Sequence, residues 1–206
     1  MRAAARWLLL AAALATAGLA GAQQHERPNG VFLVAKPGLL DPNFRQTVVL
    51  VTQTSEFTTV GVILNRPTTL KLQQFLRDDA QSSRYRDAIF LGGPVMREAL
   101  VALFRAGEAP AAPAFHVLKD LYLSMHPDNL RRLLAGADGR YRLYAGFSGW
   151  QPRQLESELQ RDGWYVLPAD VEMVFRRNMD GLWQELVTRA QAKPVRLDAQ
   201  AVGPEK

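Results

Sequence analysis

The stretch 30–67, GVFLVAKPGLLDPNFRQTVVLVTQTSEFTTVGVILNRP, decides the fold. Three apolar runs sit inside it, at 31–35, 47–52 and 60–64, all rich in Val, Ile, Leu and Thr. β-Branched runs of this length, bounded by Pro, Gly, Asn and Asp, read as strands. Asp41-Pro42-Asn43 marks a turn between the first two, because a residue before proline is pushed out of the α region. A polar tip at Ser55, Glu56 and Thr58 marks the second connection, and Pro67 ends the third run. The first three strands therefore form a meander.

Outward from this stretch, the pattern is mixed. Helices are expected at 70–80, 127–136, 151–160 and 178–192, and further strands at 88–91, 115–118, 121–124, 140–147 and 164–167. Residues 146–150 read as a turn, and 171–175 as a marginal element. The run 96–106 has a helical composition but no clean 3.6-residue period. Strands and helices that alternate irregularly after a meander favour α+β over a doubly wound parallel sheet. No internal repeat or long linker divides the chain, so 23–192 reads as a single domain and 193–206 as a disordered tail.

The chain has 206 residues, 48% hydrophobic and 22% charged, which suffices for one domain with a real core. It has no cysteine, which excludes disulfides, thiolate metal sites and a cysteine nucleophile. Residues 1–22 stand apart. Arg2 and Arg6 precede an apolar run of 13 residues, Trp7 to Leu19, and then the small-x-small site Ala20-Gly21-Ala22. That layout is expected of a secretory signal peptide cleaved after Ala22, giving a periplasmic or secreted protein. The run is short for a membrane span, which needs about 20 residues. An uncleaved anchor is the alternative, while cleavage would leave no stable membrane span. It would also leave 23 basic against 20 acidic side chains, a net +3, which is no nucleic-acid footprint.

Four segments resemble the YqgE/AlgH family: 30–44 with its FLVA-P-L-DPNF pattern, GVILNRP at 61–67, FLGGPV at 90–95, and YAGFSGWQPRQLE at 144–156, followed by Trp164. The resemblance implies an α+β domain with a curled, partly barrel-like, mainly antiparallel sheet flanked by helices. It also implies strand in at least part of 96–106. For function it implies a family without established enzyme activity, with a regulatory label on one branch concerning exopolysaccharide genes. Two features depart from the pattern. The family's usual members lack a signal peptide. The tip after strand two typically carries a His and an acidic residue, where this chain has Gln53-Thr54-Ser55-Glu56-Phe57.

No catalytic constellation stands out. His25, His116 and His126 lack the spacing of converging metal ligands, so neither metal nor cofactor is expected. Gly146-Phe147-Ser148-Gly149 resembles half of a nucleophile elbow, but a reactive serine needs a base and an acid. Two clusters remain as candidates. Asp41, Asn43, Asn65 and Arg66 sit at strand ends and would meet if the first and third strands paired, either as an Arg–carboxylate staple between loops or as a ligand site. Ser148, Gly149 and Arg153 would form an anion-binding turn before a helix. Trp150, Trp164 and Trp183 are expected in core or interface space, and Arg131-Arg132 and Arg176-Arg177 on solvated surface. The leading expectation is an exported, non-catalytic domain that binds a protein or small ligand in the envelope, where nucleic acid is not a partner. The alternatives are an intracellular transcriptional regulator contacting nucleic acid, with 1–22 misread, and a hydrolase using Ser148 or Asp41.

Overall fold

The computed structural model describes residues 28–54, 56–76, 85–136 and 140–192. The expected signal segment 1–22 and tail 193–206 lie outside them, as does the end of the first expected helix. Nine strands fall within the described residues: β1 Val31–Ala35, β2 Val48–Gln53, β3 Thr59–Ile63, β4 Phe90–Leu91, β5 Val95–Arg105, β6 Phe115–Leu118, β7 Leu121–Ser124, β8 Tyr141–Trp150 and β9 Trp164–Pro168. Four α-helices accompany them: α1 Pro127–Leu134, α2 Gln154–Gln160, α3 Val171–Val174 and α4 Leu182–Ala192.

One sheet runs in the order β6-β7-β5-β8-β3-β2-β1-β9, with β4 beside β8. Every pairing is antiparallel except β4 with β8. The sheet is not closed. It curls far enough for the Gly30 amide, just before β1, to donate to the Val117 carbonyl of β6 at 2.8 Å.

Strand β8 is the hub because its ten residues serve two partners along one edge. Tyr144 and Ala145 face β4, and Ser148 to Trp150 face β3. Its other edge pairs with β5. The two partners meet at Gly92, whose carbonyl accepts from the Ile63 amide at 2.9 Å and the Ser148 hydroxyl at 3.0 Å. The Gly92 amide donates to Ala145 at 2.9 Å. This seam allows no side chain: a Cβ on Gly92 would stand 2.1 Å from the Gly146 carbonyl oxygen.

Both faces of the early strands are buried, so they read as unbroken apolar runs rather than alternating ones. Phe32, Val34, Val48, Leu50 and Val62 line the inside of the curl with Leu103, Leu121 and Leu123, together with Leu182 and Leu186 of α4. Leu33, Ala35, Val49, Val51 and Ile63 form the outer layer beneath Phe44, Trp150, Trp164 and the α2 residues Leu155 and Leu159. A third layer covers the back of β5 and β8, where Ala102, Phe104, Leu143 and Ala145 meet Leu133 and Leu134 of α1.

The strand that the resemblance implies within 96–106 is present as β5, against the helical composition: Val101 and Leu103 enter one core layer while Ala102 and Phe104 enter another, a period of two. Three expectations are corrected. The helix expected at 70–80 is, within the described residues, one 3-10 turn at Leu72–Gln74. Thr68 holds the chain extended before it, bonding the Ile89 carbonyl through both its amide and its hydroxyl. The turn expected at 146–150 is the last half of β8. Helices α2 and α4 begin late because Arg153 and Gly181 adopt left-handed φ of 67° and 71°.

The outer layer carries a polar staple. The indole nitrogens of Trp150 and Trp164 both donate to one Glu158 oxygen, at 3.1 and 3.0 Å, with Phe44 5.5 Å from each ring. Hydrogen bonds to a charged acceptor contribute about 1.5–3 kcal/mol each. Glu158→Ala should therefore cost about 3 kcal/mol or more in urea unfolding followed by tryptophan fluorescence, and Glu158→Gln, which keeps an acceptor, about 1 kcal/mol. Equal midpoints for Glu158→Ala and the parent would remove the staple from the account.

Candidate functional site

Strands β1 and β3 do not pair with each other; β2 lies between them. Two antiparallel steps still bring their ends to the same side, so the loop after β1 and the segment after β3 meet. Asn65 accepts from the Val48 amide and donates to the Gln46 carbonyl, each at 2.9 Å. Arg66 donates to the carbonyls of Asn43 at 2.5 Å, Arg45 at 3.0 Å and Pro42 at 3.4 Å. Asp41 turns inward on its own loop, accepting from the Asn43 amide at 2.7 Å. The expected Arg66–carboxylate pair is therefore replaced by a guanidinium bound to loop carbonyls. Arg97 reaches the Asn43 side chain at 3.2 Å. Burial lowers the Arg66 pKa, and the nearby Arg45 and Arg97 charges add to that against Asp41.

Ser148, Gly149 and Arg153 are not gathered into one turn. Ser148 is fully buried in β8 and spends its hydroxyl on Gly92. Gly149 stands in register with Val60. Arg153 precedes α2, a helix of seven residues. Neither described histidine serves Ser148. His116 stacks on Tyr122 with ring centroids 4.7 Å apart, and His126 caps α1 by accepting from the Asp128 amide at 3.2 Å. Among the described residues, no three His, Cys, Asp or Glu side chains converge as metal ligands.

A polar concavity lies elsewhere. A cleft of about 730 Å³ opens between the start of β8, the approach to β4 and the segment after α3. Asp87, Ala88, Phe90, Arg140, Tyr141, Arg142, Phe175 and Arg177 line it. Arg142 is locked at its floor: one guanidinium nitrogen donates to the Val174 carbonyl at 2.7 Å, another to Arg176 at 2.9 Å, and the group lies 4.6 Å over the Phe90 ring. Arg140 lies 3.5 Å from Glu172 at the exposed rim. Arg177 is exposed and has no ion-pair partner among the described residues.

Behind Arg142 lies Tyr144, wholly buried, its hydroxyl without a hydrogen bond among the described residues. Burial pushes this phenol up to about 12, with Arg142 acting against the shift. Burial raises Tyr85 and Tyr141 as well.

Sequence reasoning placed Arg177 on solvated surface and did not join it to Arg140, Arg142 or Asp87, which come from segments far apart in the chain. One local signal existed: Arg142 shares a strand face with Tyr144, so a charge enters the inner, apolar side of β8.

The family model described as AlgH-like matches residues 32–195. The chain belongs to the AlgH-like family. Proteins named UPF0301 in Thermobifida fusca and Streptomyces coelicolor are 35% and 37% identical to it, over 78% of this chain and 85% of each relative. One in Mycobacterium tuberculosis is 34% identical over 82% of this chain and 84% of the relative. The solution structure of the AlgH protein from Pseudomonas aeruginosa superposes with a TM-score of 0.64 at 28% identity, covering 86% of this chain and 94% of that one. A Corynebacterium diphtheriae protein shares the fold, with a TM-score of 0.59 over 80% of this chain and 87% of its own length. The AlgH-like family is uncharacterised in its activity, as the name UPF0301 on its members reflects.

The Tyr144 environment makes a pH prediction. An unfolded tyrosine ionises near ~10, whereas folded Tyr144 stays neutral up to about 12. The folded chain thus holds more protons between these values. Stability present below about pH 10 is lost as pH rises through that window. Tyr144→Phe should make the alkaline limb of stability against pH shallower, and should leave stability at pH 7 unchanged or raised by about 1 kcal/mol, since it removes an unpaired buried hydroxyl. An alkaline limb as steep as the parent's would contradict this.

Proposed function

We propose that this AlgH-like protein is a non-catalytic binding domain of the cell envelope whose cleft takes an anionic ligand. The observation that carries the reading is the cleft itself: three guanidinium groups against one carboxylate, from three separate segments, around an open concavity. Arginine is suited to carboxylate and phosphate because its planar donor fork matches their geometry. A cleft of this size suits a small molecule. The strand-end residues Asp41, Asn43, Asn65 and Arg66 act as a loop staple, since their polar groups bind neighbouring backbone. The envelope part rests on the layout of residues 1–22.

Two measurements test the reading. N-terminal sequencing of protein from its own host should find Gln23 first; intact Met1 on cytosolic material would remove the envelope assignment. Titration with inorganic phosphate, followed by NMR, should shift the amides of 140–142 and 175–177, and Arg177→Ala should weaken that binding at least fivefold. Shifts confined to other surfaces would place the anion site elsewhere.

A further inference from the structure

We infer that the ligand of this cleft is an aromatic phosphomonoester, a planar ring carrying a dianionic phosphate. The inference rests on the anion-binding reading and adds the chemistry of the rest of the ligand. Three observations lead to it.

The first is that the three arginines are not equivalent. Arg142 has two of its nitrogens committed to the Val174 and Arg176 carbonyls and its guanidinium carbon held 4.6 Å from the centre of the Phe90 ring. Two of its five N–H donors are spent in fixing it, so it stands as a pre-set cation in the cleft lining, beside an aromatic ring. Guanidinium planes stack on aromatic rings, and the attraction grows where water is excluded. Arg140 and Arg177 differ: neither is held by backbone carbonyls among the described residues, and both are exposed at the rim.

The second is the remaining lining. Tyr141 and Phe175 are half-buried and flank the same space. Aromatic side chains left partly open beside a fixed guanidinium give a flat apolar ligand an edge or a face to pack on. A bare anion would use none of this surface, and a cleft of about 730 Å³ is far larger than a phosphate needs.

The third is charge. Arg140, Arg142 and Arg177 against Asp87 leave the lining at +2, which matches a phosphomonoester dianion better than a monocarboxylate. Glu172 draws on Arg140 from the exposed side at 3.5 Å, so Arg177 is the main phosphate partner.

Isothermal titration with inorganic phosphate, phenyl phosphate and phenol separates the parts. Phenyl phosphate should bind at least tenfold tighter than inorganic phosphate, and phenol should not bind measurably. Phe175→Ala should bring phenyl phosphate down towards inorganic phosphate while leaving the latter unchanged, and Arg177→Ala should weaken both. Because Phe175 also packs against the inner core, the parent protein supplies a check that needs no variant. Phenyl protons of bound phenyl phosphate should show NOEs to the rings of Tyr141 or Phe175. Equal affinity for phenyl phosphate and inorganic phosphate, or phenyl protons without those NOEs, would overturn the inference and leave the anion site standing. No binding of either phosphate would remove both.

Discussion

The fold depends on a close approach of backbones at Gly92. Two half-sheets, one from the early meander and one from β5 to β7, share strand β8. They can do so only where β4 hands that strand's edge over to β3. At the handover the Gly92 carbonyl takes two donors, from β3 and from β8, within a space too narrow for a methyl group. Gly146 completes the geometry from the other side, in a left-handed conformation with φ of 69° that favours glycine. Opposite it, β5 throws out Met96 to Ala99 between the registered pairs Val95–Phe147 and Leu100–Ala145. Such an irregularity bends the strand and helps the sheet to curl.

This seam gives physical content to the four segments that carry the family resemblance. Ile63 of GVILNRP, Gly92 of FLGGPV and Ser148 of YAGFSGW meet there directly. Arg66 of the second segment ties down the DPNF loop of the first. The motifs thus supply contacts of one junction. Ser148 illustrates the point: the hydroxyl that suggested a nucleophile is a buried strut of the junction.

Much of the architecture was legible because the meander is buried on both faces, which leaves long β-branched runs between turn residues. Strand β1 has the expected bounds for that reason, whereas the bounds of β6 and β7 follow from the Lys119-Asp120 turn between them. The run that became β5 was not legible from composition, since alanine and leucine suit a helix in isolation and only the packing of alternate residues into two layers decides otherwise. The late starts of α2 and α4 depend on single left-handed residues, a matter of backbone conformation that composition does not carry. The cleft was the least legible feature. Its arginines and aromatics come from 87–90, 140–142 and 175–177, and only the topology joins them.

The two parts of the molecule have different physical characters. The seam and the Trp150–Glu158–Trp164 staple satisfy their polar groups internally. The cleft keeps charge exposed and aromatic surface half covered, as a surface that meets a ligand does.

The most direct test is the urea midpoint of Gly92→Ala beside that of Gly38→Ala, a position where an added Cβ meets nothing within 4 Å. Forcing a methyl group into packed backbone costs about 1–3 kcal/mol or more, so Gly92→Ala should unfold at clearly lower urea while Gly38→Ala keeps the parent midpoint. A Gly92→Ala protein as stable as the parent would contradict the claim that this junction holds the two half-sheets together.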